Sequence, residues 1–205
     1  MKKQTLILAS SSPHRFELLS RLKIPFIVVK PETDESIIGG EKPCNLVLRL
    51  AEQKARDALR KYQVKQEKNS KNIFVIGSDQ VLEVGNKIFG KPHNKENASK
   101  QLSFFSGKKA TFHTSVCLLS NQQDLEIQSK NIKTKIEFDA LTEQKIRHYL
   151  GSEDALNCAG SFKSEGLGLS LLQKIKSTDH SAIIGLPLIT LCEMLEKSGF
   201  NRFVK

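Results

Sequence analysis

The run Ile73-Phe74-Val75-Ile76-Gly77, ending at Ser78 and Asp79, constrains this chain more than any other stretch. It has no polar side chain to give a strand a wet face, so it predicts a buried strand. Leu6 to Ala9 form a second short apolar strand, ended by Ser10, Ser11, Ser12 and Pro13. Other stretches carry helical spacing instead. Leu18, Leu19 and Leu22 follow Pro13, which suits the first turn of a helix after a serine N-cap. Val47, Ala51, Ala55, Ala58 and Tyr62 recur three or four apart in a helix from about Cys44 to Tyr62 with one polar face. Strands mixed with helices, joined by crossovers and hairpins, point to an α/β fold with a mixed sheet.

The remaining elements follow from turn and cap chemistry. Phe26 to Val29 predicts a strand, and Gly85-Asn86 a hairpin turn. Asn94 to Phe105 predicts a helix closed by Gly107. Two long alternating strands fill Lys109 to Phe138 around a turn at Asn121 to Asp124. Thr142 caps a helix ending near Gly151. A Gly-rich stretch, Ala159 to Gly168, precedes a strand at Leu169 to Ile175, and a last helix runs from Pro187 to about Lys197. Lys65 to Asn72 is a charged loop. A chain of 205 residues buries about 70% of its unfolded surface, enough for a single domain spanning 1–205. There is no internal repeat and no low-complexity segment.

The net charge of +10 favours polyanionic partners, although a solvated, lysine-rich surface explains it equally well. The positive residues are dispersed, and densest at Lys54, Arg56, Arg60, Lys61, Lys65, Lys68 and Lys71. No block of aromatics interleaved with Arg and Gly marks a single-strand RNA binder. Cys44, Cys117, Cys158 and Cys192 form no C-x-x-C pair and read as reduced, buried thiols. The N-terminal apolar run, Thr5 to Ala9, is too short for a secretion signal. No stretch reaches the length of a membrane span. The expectation is a soluble, cytoplasmic protein.

Several residues could carry chemistry. The turn Ser10-Ser11-Ser12 presents N–H groups and hydroxyls at a helix N-terminus, a natural place for an anion. Asp79 stands where an apolar strand is expected to end, the position at which open α/β sheets bind ligands. Alone, it also fits a turn residue satisfying its own backbone. Asp34 and Glu35 form an acidic pair that suits a hard cation such as Mg²⁺, or is merely solvated. Arg15, Lys54 and Lys91 are candidate phosphate cations. The histidines show no H-x-x-x-H spacing, so a zinc hydrolase is not expected.

Order raises these separate signals. LASSSPHRFELL, Asp34-Glu35, LAEQKA, VIGSDQV, GKP, CAGSFKSEG and GLPLITLCEML, in that sequence, resemble the successive motifs of the Maf family of nucleotide pyrophosphatases. The resemblance runs from Leu6 to about Gly199. Gln80, where the dTTP/UTP branch usually has Thr, and the CAGSFKSEG run are most similar to the 7-methyl-GTP branch. The resemblance implies a two-lobed α/β architecture of the Maf/ITPase kind, a mixed twisted sheet around a central cleft, usually as a homodimer. It implies a Mg²⁺- or Mn²⁺-dependent hydrolysis of a nucleoside triphosphate to monophosphate and pyrophosphate. Asp79 would be the proton acceptor. Ser10, Arg15, Lys54 and Lys91 would bind phosphate, Glu35 with Asp79 would hold the metal, and His14, Gln80 and Glu165 would choose the base. Where the family usually has Arg, and this branch often Trp, the chain has His14, whose ring stacks on a base less well. The alternatives are the same reaction on dTTP, UTP or a modified pyrimidine nucleotide, and a basic nucleic-acid-binding or cell-division regulator without catalysis. The second leaves Glu35 and Asp79 without a purpose, so nucleic acid and membrane are not the expected partners.

Overall fold

The computed structural model describes residues 4–65, 72–121 and 126–200. Seven strands form one mixed sheet in the order β2-β1-β3-β5-β6-β7, with β4 on the edge of β3. The strands are β1 Thr5–Ala9, β2 Ile27–Val28, β3 Ile73–Val84, β4 Lys87–Phe89, β5 Lys109–Ser120, β6 Glu126–Phe138 and β7 Leu172–Lys176. The helices are α1 Pro13–Ser20, α2 Pro43–Lys65, α3 Lys95–Phe105, α4 Glu143–Ser152 and α5 Leu188–Lys197. β1 runs parallel to β2 and β3, and every other pairing is antiparallel. Residues 122–124 of the turn expected at Asn121 to Asp124 and most of the charged loop after Lys65 lie outside the described residues.

Strand alternation assigns the two faces. Leu6, Leu8, Phe74, Ile76, Val116 and Leu118 pack with α1 and α5 on one face. Ile7, Ala9, Val75, Cys117 and Leu119 pack against Ala51, Ala55 and Ala58 of α2 on the other. Further along β3, Leu82 and Val84 join Phe112, Phe138, α3 and α4 in a separate cluster. β3, β5 and β6 are long enough to belong to both ends, so two cores share three strands. This separation produces the two lobes that the resemblance implies.

The β3 strand differs from its expectation in one consequential way. It does not end at Asp79 but continues through Gln80 to Val84. What ends is its neighbour: β1 pairs with β3 only as far as Ala9 opposite Gly77. β4 covers the same edge again only from Leu82. The edge of β3 between those points is left open to the cleft. The pairing with β5 continues unbroken, with Asp79 opposite Ser115.

Local chemistry sets most element ends. Ser12 Oγ accepts from Arg15 N at the start of α1, with Pro13 in the first turn. Asn94 and Thr142 cap α3 and α4 in the same way. Gly85, at φ +60°, permits the tight β3–β4 hairpin. Near the C-terminus the strand begins three residues later than expected, because Leu167–Leu171 wind into a 3₁₀ turn first. At Gly77 a Cβ would run into the carbonyl of Ala51. That close approach lets α2 lie directly on the strand beside Asp79.

Candidate active site

The cleft lies at the open edge of β3. Its walls are the serine turn after β1, the loop before α2, the sheet-facing stripe of α2, β3 and the loop after β4. It encloses about 370 Å³, and Ser10, Arg15, Glu35, Lys54, Asp79 and Lys91 all line it. Six residues singled out from sequence therefore meet in one place.

Lys54 and Asp79 form its centre. Lys54 stands on the stripe of α2 that otherwise presents Val47, Leu50, Ala51, Ala55 and Ala58 to the sheet, and is only 5% exposed. Buried lysines are rare unless paired. Here Nζ donates to Asp79 Oδ1 at 2.6 Å and lies 2.7 Å from Glu35 Oε1. Burial raises the pKa of Asp79 above the ordinary carboxylate range. The charges of Lys54 and Arg15 oppose the shift, and Glu35 adds to it. Burial also acts on Glu35, but the hydrogen bond and charge of Lys54, helped by Lys91 and Arg15, outweigh it and hold that group below its usual value.

The acidic pair read from the sequence divides. Asp34 Oδ1 accepts from Ser36 N at 2.9 Å and stays in its own turn, outside the cleft lining. Glu35 alone reaches Lys54. The loop that carries it is clamped to α2. Arg49 donates to Ser36 O at 3.0 Å and forms a two-pronged pair with Glu41 at 2.9 and 2.7 Å. Glu32 N donates to Asp57 Oδ2 at 2.7 Å.

Arg15 is half-buried. Its Nε donates to the carbonyl of Gly185 at 2.9 Å, which orients the guanidinium. Burial lowers its pKa, while Asp79 and Glu35 act to raise it. Lys91 stands at the rim. Partial withdrawal from water lowers its pKa, with repulsion from Arg15 adding to the shift. Ser10 Oγ accepts from Ser12 N at 3.0 Å, so the serine turn is folded before any ligand arrives.

A smaller pocket of about 50 Å³ opens off the cleft, sharing Ser12, Arg15, Gln80 and Lys91 with it and adding His14, Cys158, Phe162 and Glu165. Alternation along β3 sends Gln80 to the face opposite Asp79. There its Nε2 donates to Thr114 Oγ1 at 2.9 Å, Ala182 O at 2.9 Å and Ile183 O at 3.0 Å. Three oxygens around that atom fix the amide orientation. They leave Oε1, an acceptor, as the group Gln80 can offer a ligand. His14 Nδ1 lies 2.5 Å from Glu165 Oε1, so the three residues expected to choose the base share one pocket.

Other contributors escape a reading of the sequence. Ser78 Oγ bonds the carbonyls of Ser115 and Gly185 at 2.7 and 2.8 Å, tying β3 to the segment that holds Arg15. Buried Asp179 anchors that segment. Its Oδ1 accepts from Ser181 Oγ at 2.6 Å and its Oδ2 from Thr190 N at 3.1 Å. An Asp two residues before a Ser is a recognisable turn signal, but the carbonyls it aims carry no sequence code.

Two carboxylates converging on one ammonium provide oxygen donors for a divalent ion. Among the described residues no group of three or more His, Cys, Asp or Glu side chains could hold a metal. Glu35 and Asp79 at an open cleft fit a hard cation such as Mg²⁺, which takes one or two carboxylates and fills its remaining positions with water and phosphate oxygens.

A buried carboxylate beside an ammonium, facing a cleft with an arginine and a second lysine, suits a polyanionic ligand. The chain belongs to the Maf-like protein family, whose pattern matches residues 5–198. It is 45% identical to the 7-methyl-GTP pyrophosphatase of Nitrosococcus oceani over 96% of this chain and 94% of that one. It is 45% identical to the 7-methyl-GTP pyrophosphatase of Idiomarina loihiensis over 96% of each, and 41% identical to that of Vibrio cholerae over 98% and 99%. Among solved structures, a HAM1 protein from Coxiella burnetii aligns over 95% of this chain and 100% of that chain with a TM-score of 0.49 and 15% identity.

Proposed function

We propose that this chain hydrolyses 7-methyl-GTP to 7-methyl-GMP and diphosphate with the help of Mg²⁺ or Mn²⁺, and so removes modified nucleotides from the pool. The observation that carries the reading is the convergence of Lys54, Asp79 and Glu35 at the open edge of β3, with Arg15 and Lys91 around them. Relatives of the same length that bear this activity in their names support the substrate.

A nucleoside triphosphate brings about four negative charges. Arg15, Lys54, Lys91 and the N–H groups of the serine turn would bind them, the turn through its position at the α1 N-terminus. A divalent cation held by Glu35 and Asp79 would supply charge neutralisation for the phosphate oxygens. Asp79 orients the attacking water and takes its proton. Its raised pKa makes it a stronger base than an ordinary aspartate, and Lys54 fixes Oδ1 so that Oδ2 is left for water. Attack at the α-phosphorus breaks its bond to the bridging oxygen and releases diphosphate. Positioned base catalysis of this type is worth about 10²–10⁴ in rate.

Selection of the base falls to the smaller pocket. Methylation at N7 gives guanine a positive charge, which the Glu165 carboxylate favours. Gln80 Oε1 accepts from the N–H groups of the base edge. The chain would work as one catalytic domain, in the cytoplasm and as a homodimer. No helix among the described residues is long and apolar enough to cross a membrane.

The test is diphosphate release from 7-methyl-GTP, GTP, dTTP, UTP and CTP, with and without chelator. The expected result is a clear preference for 7-methyl-GTP that chelation abolishes. Asp79→Asn, still folded, should lose at least about 10²-fold in turnover. A folded Asp79→Asn protein with near-normal turnover would refute the role of Asp79, and preference for a pyrimidine would move the substrate.

A further inference from the structure

The loop that carries Glu35 has no apolar anchor. None of residues 30–42, all of them described, is buried. Its two large apolar side chains, Ile37 and Ile38, are 53% and 58% exposed. Gly39 and Gly40 follow them, the second at φ +75°, so the backbone there has other paths open to it. Polar ties to α2 hold the loop instead. Asp57 accepts from Glu32 N, three residues before Glu35. Arg49 binds the carbonyl of Ser36, the residue after Glu35, and the same guanidinium grips Glu41 beyond the glycine pair. Its Nη1 donates to Gln53 Oε1 at 3.2 Å, which keeps the plane from turning. The side chains of Arg49 and Glu41 are only 21% and 10% exposed, and two-pronged arginine–carboxylate pairs are among the strongest hydrogen-bonded contacts a surface loop can make.

We propose that Arg49 is a positioning residue: by tying down the loop on both sides of the glycine pair it keeps the Glu35 carboxylate in the cleft, and so sets the affinity of the site for a divalent cation. This inference rests on the metal role given to Glu35 above. It adds a residue that is not among those lining the cleft and acts through Glu35 alone. The competing explanation is Lys54, whose ammonium lies 2.7 Å from Glu35 Oε1 and would hold the carboxylate unaided. That ammonium is shared with Asp79, and a contact at the tip of a side chain does not fix the backbone behind it. A cation binds tightly only to molecules in which the carboxylate is in place, so its apparent affinity falls in proportion to that fraction.

The measurement is Mn²⁺ binding without nucleotide, read from the spin-resonance signal of free Mn²⁺, for wild type, Arg49→Lys, Glu35→Gln and the double variant. Arg49→Lys keeps the positive charge and loses the planar fork, so it cannot serve Ser36 and both oxygens of Glu41 at once. Its Mn²⁺ affinity should be lower by about fivefold or more, that of Glu35→Gln lower still, and that of the double variant equal to Glu35→Gln. Glu41→Gln, which weakens the same tie from the loop side, should shift affinity in the same direction by less. A general loosening of the fold would add to the effect of Glu35→Gln, whereas a residue acting through Glu35 has nothing left to change once the carboxylate is gone. Wild-type affinity in Arg49→Lys overturns the proposal and leaves Glu35 to Lys54. A further loss in the double variant overturns it too. Equal binding by wild type and Glu35→Gln overturns both the proposal and the metal role of Glu35. No part of the measurement depends on turnover, so failure of the hydrolysis assay leaves its result standing.

Discussion

The two sides of β3 are built from different materials. On the α2 face, Asp79 is held by Lys54, whose ammonium also meets Glu35, formal charges on or beside regular elements. On the opposite face, Gln80 is held by the carbonyls of Ala182 and Ile183, neutral groups of a 3₁₀ turn. Two consecutive residues separate by strand alternation alone, and the cleft joins them because β1 stops short of both. Phosphate is the same in every nucleotide, so the first side can rely on charge. Bases differ by single donors and acceptors, so under the proposed function the second would rely on aimed dipoles. Damage to the charged side should therefore lower turnover on all substrates together, whereas damage to the other should change their ratio.

Lys54→Met tests that division most severely. It removes the ammonium between two carboxylates and leaves like charges facing each other. We expect kcat/KM to fall by about 10²–10³ for 7-methyl-GTP and GTP alike, with their ratio unchanged. Repulsion by Glu35 should also raise the Asp79 pKa further, which would appear as an acid limb moved to higher pH. A variant that changed the ratio and spared turnover would break the comparison.

The pH profile comes next, at tenfold per unit along each limb. In the proposed reaction Asp79 must be ionised to take a proton. Its pKa is raised by burial, so kcat/KM should begin to fall on acidification above ~4, where an ordinary aspartate is still charged. In the proposed reaction Lys91 must be protonated to bind phosphate. Its pKa is lowered, so the alkaline limb should begin below ~10. The window is narrowed from both ends, and wild-type rates across pH measure it. Asp79→Asn should remove the acid limb from whatever activity remains. Limbs at ordinary carboxylate and lysine positions would show that burial does not govern the chemistry.

The same contrast explains what could be read from the sequence. β1, the serine turn, α1 and α2 follow from apolar runs, one Pro and a repeating stripe. Ser10, Arg15 and Lys54, proposed to bind phosphate, stand at defined positions within them. Lys54 was visible as a charge, and its place on the apolar stripe of α2 is what makes it unusual. The extent of β3 is not legible in the sequence, because Ser78, Asp79 and Gln80 look like a strand's end. They are tolerated inside it because Ser78 bonds backbone carbonyls, Asp79 faces Lys54, and Gln80 faces the 3₁₀ turn. The acidic pair could not be divided from sequence, since the clamp from Arg49 that fixes which carboxylate turns inward acts through the carbonyl of Ser36. On the base side the partners are carbonyl oxygens, which every residue has. The family motifs name Gln80 and Glu165, but no side-chain pattern shows what aims them.

Asp179 offers the finest test, because it touches neither cavity. It is 1% exposed and faces Thr190 N in the first turn of α5, a helix with no side-chain cap of its own. A carboxylate there is favoured by the helix dipole and by the N–H groups it satisfies. Through Ser181 it fixes His180–Ile184, whose Ala182 and Ile183 carbonyls hold Gln80 and whose next residue, Gly185, holds Arg15. Asp179→Asn keeps one acceptor and sets an NH₂ group against backbone donors. The expected result is a loss of about 1 kcal/mol in stability, a several-fold fall in kcat/KM for 7-methyl-GTP, and a narrower 7-methyl-GTP to GTP ratio. Stability alone could mislead, so Thr142→Ala serves as the control. It removes the cap of α4, whose hydroxyl accepts from Lys145 N at 3.2 Å, at a similar cost of about 1 kcal/mol and in the other core. If both variants lose stability but only Asp179→Asn changes the ratio, Asp179 positions the base side through the carbonyls it anchors. If both leave the ratio alone, the turn holds Gln80 without its help, and the aiming of that amide comes from Thr114 and the strand itself.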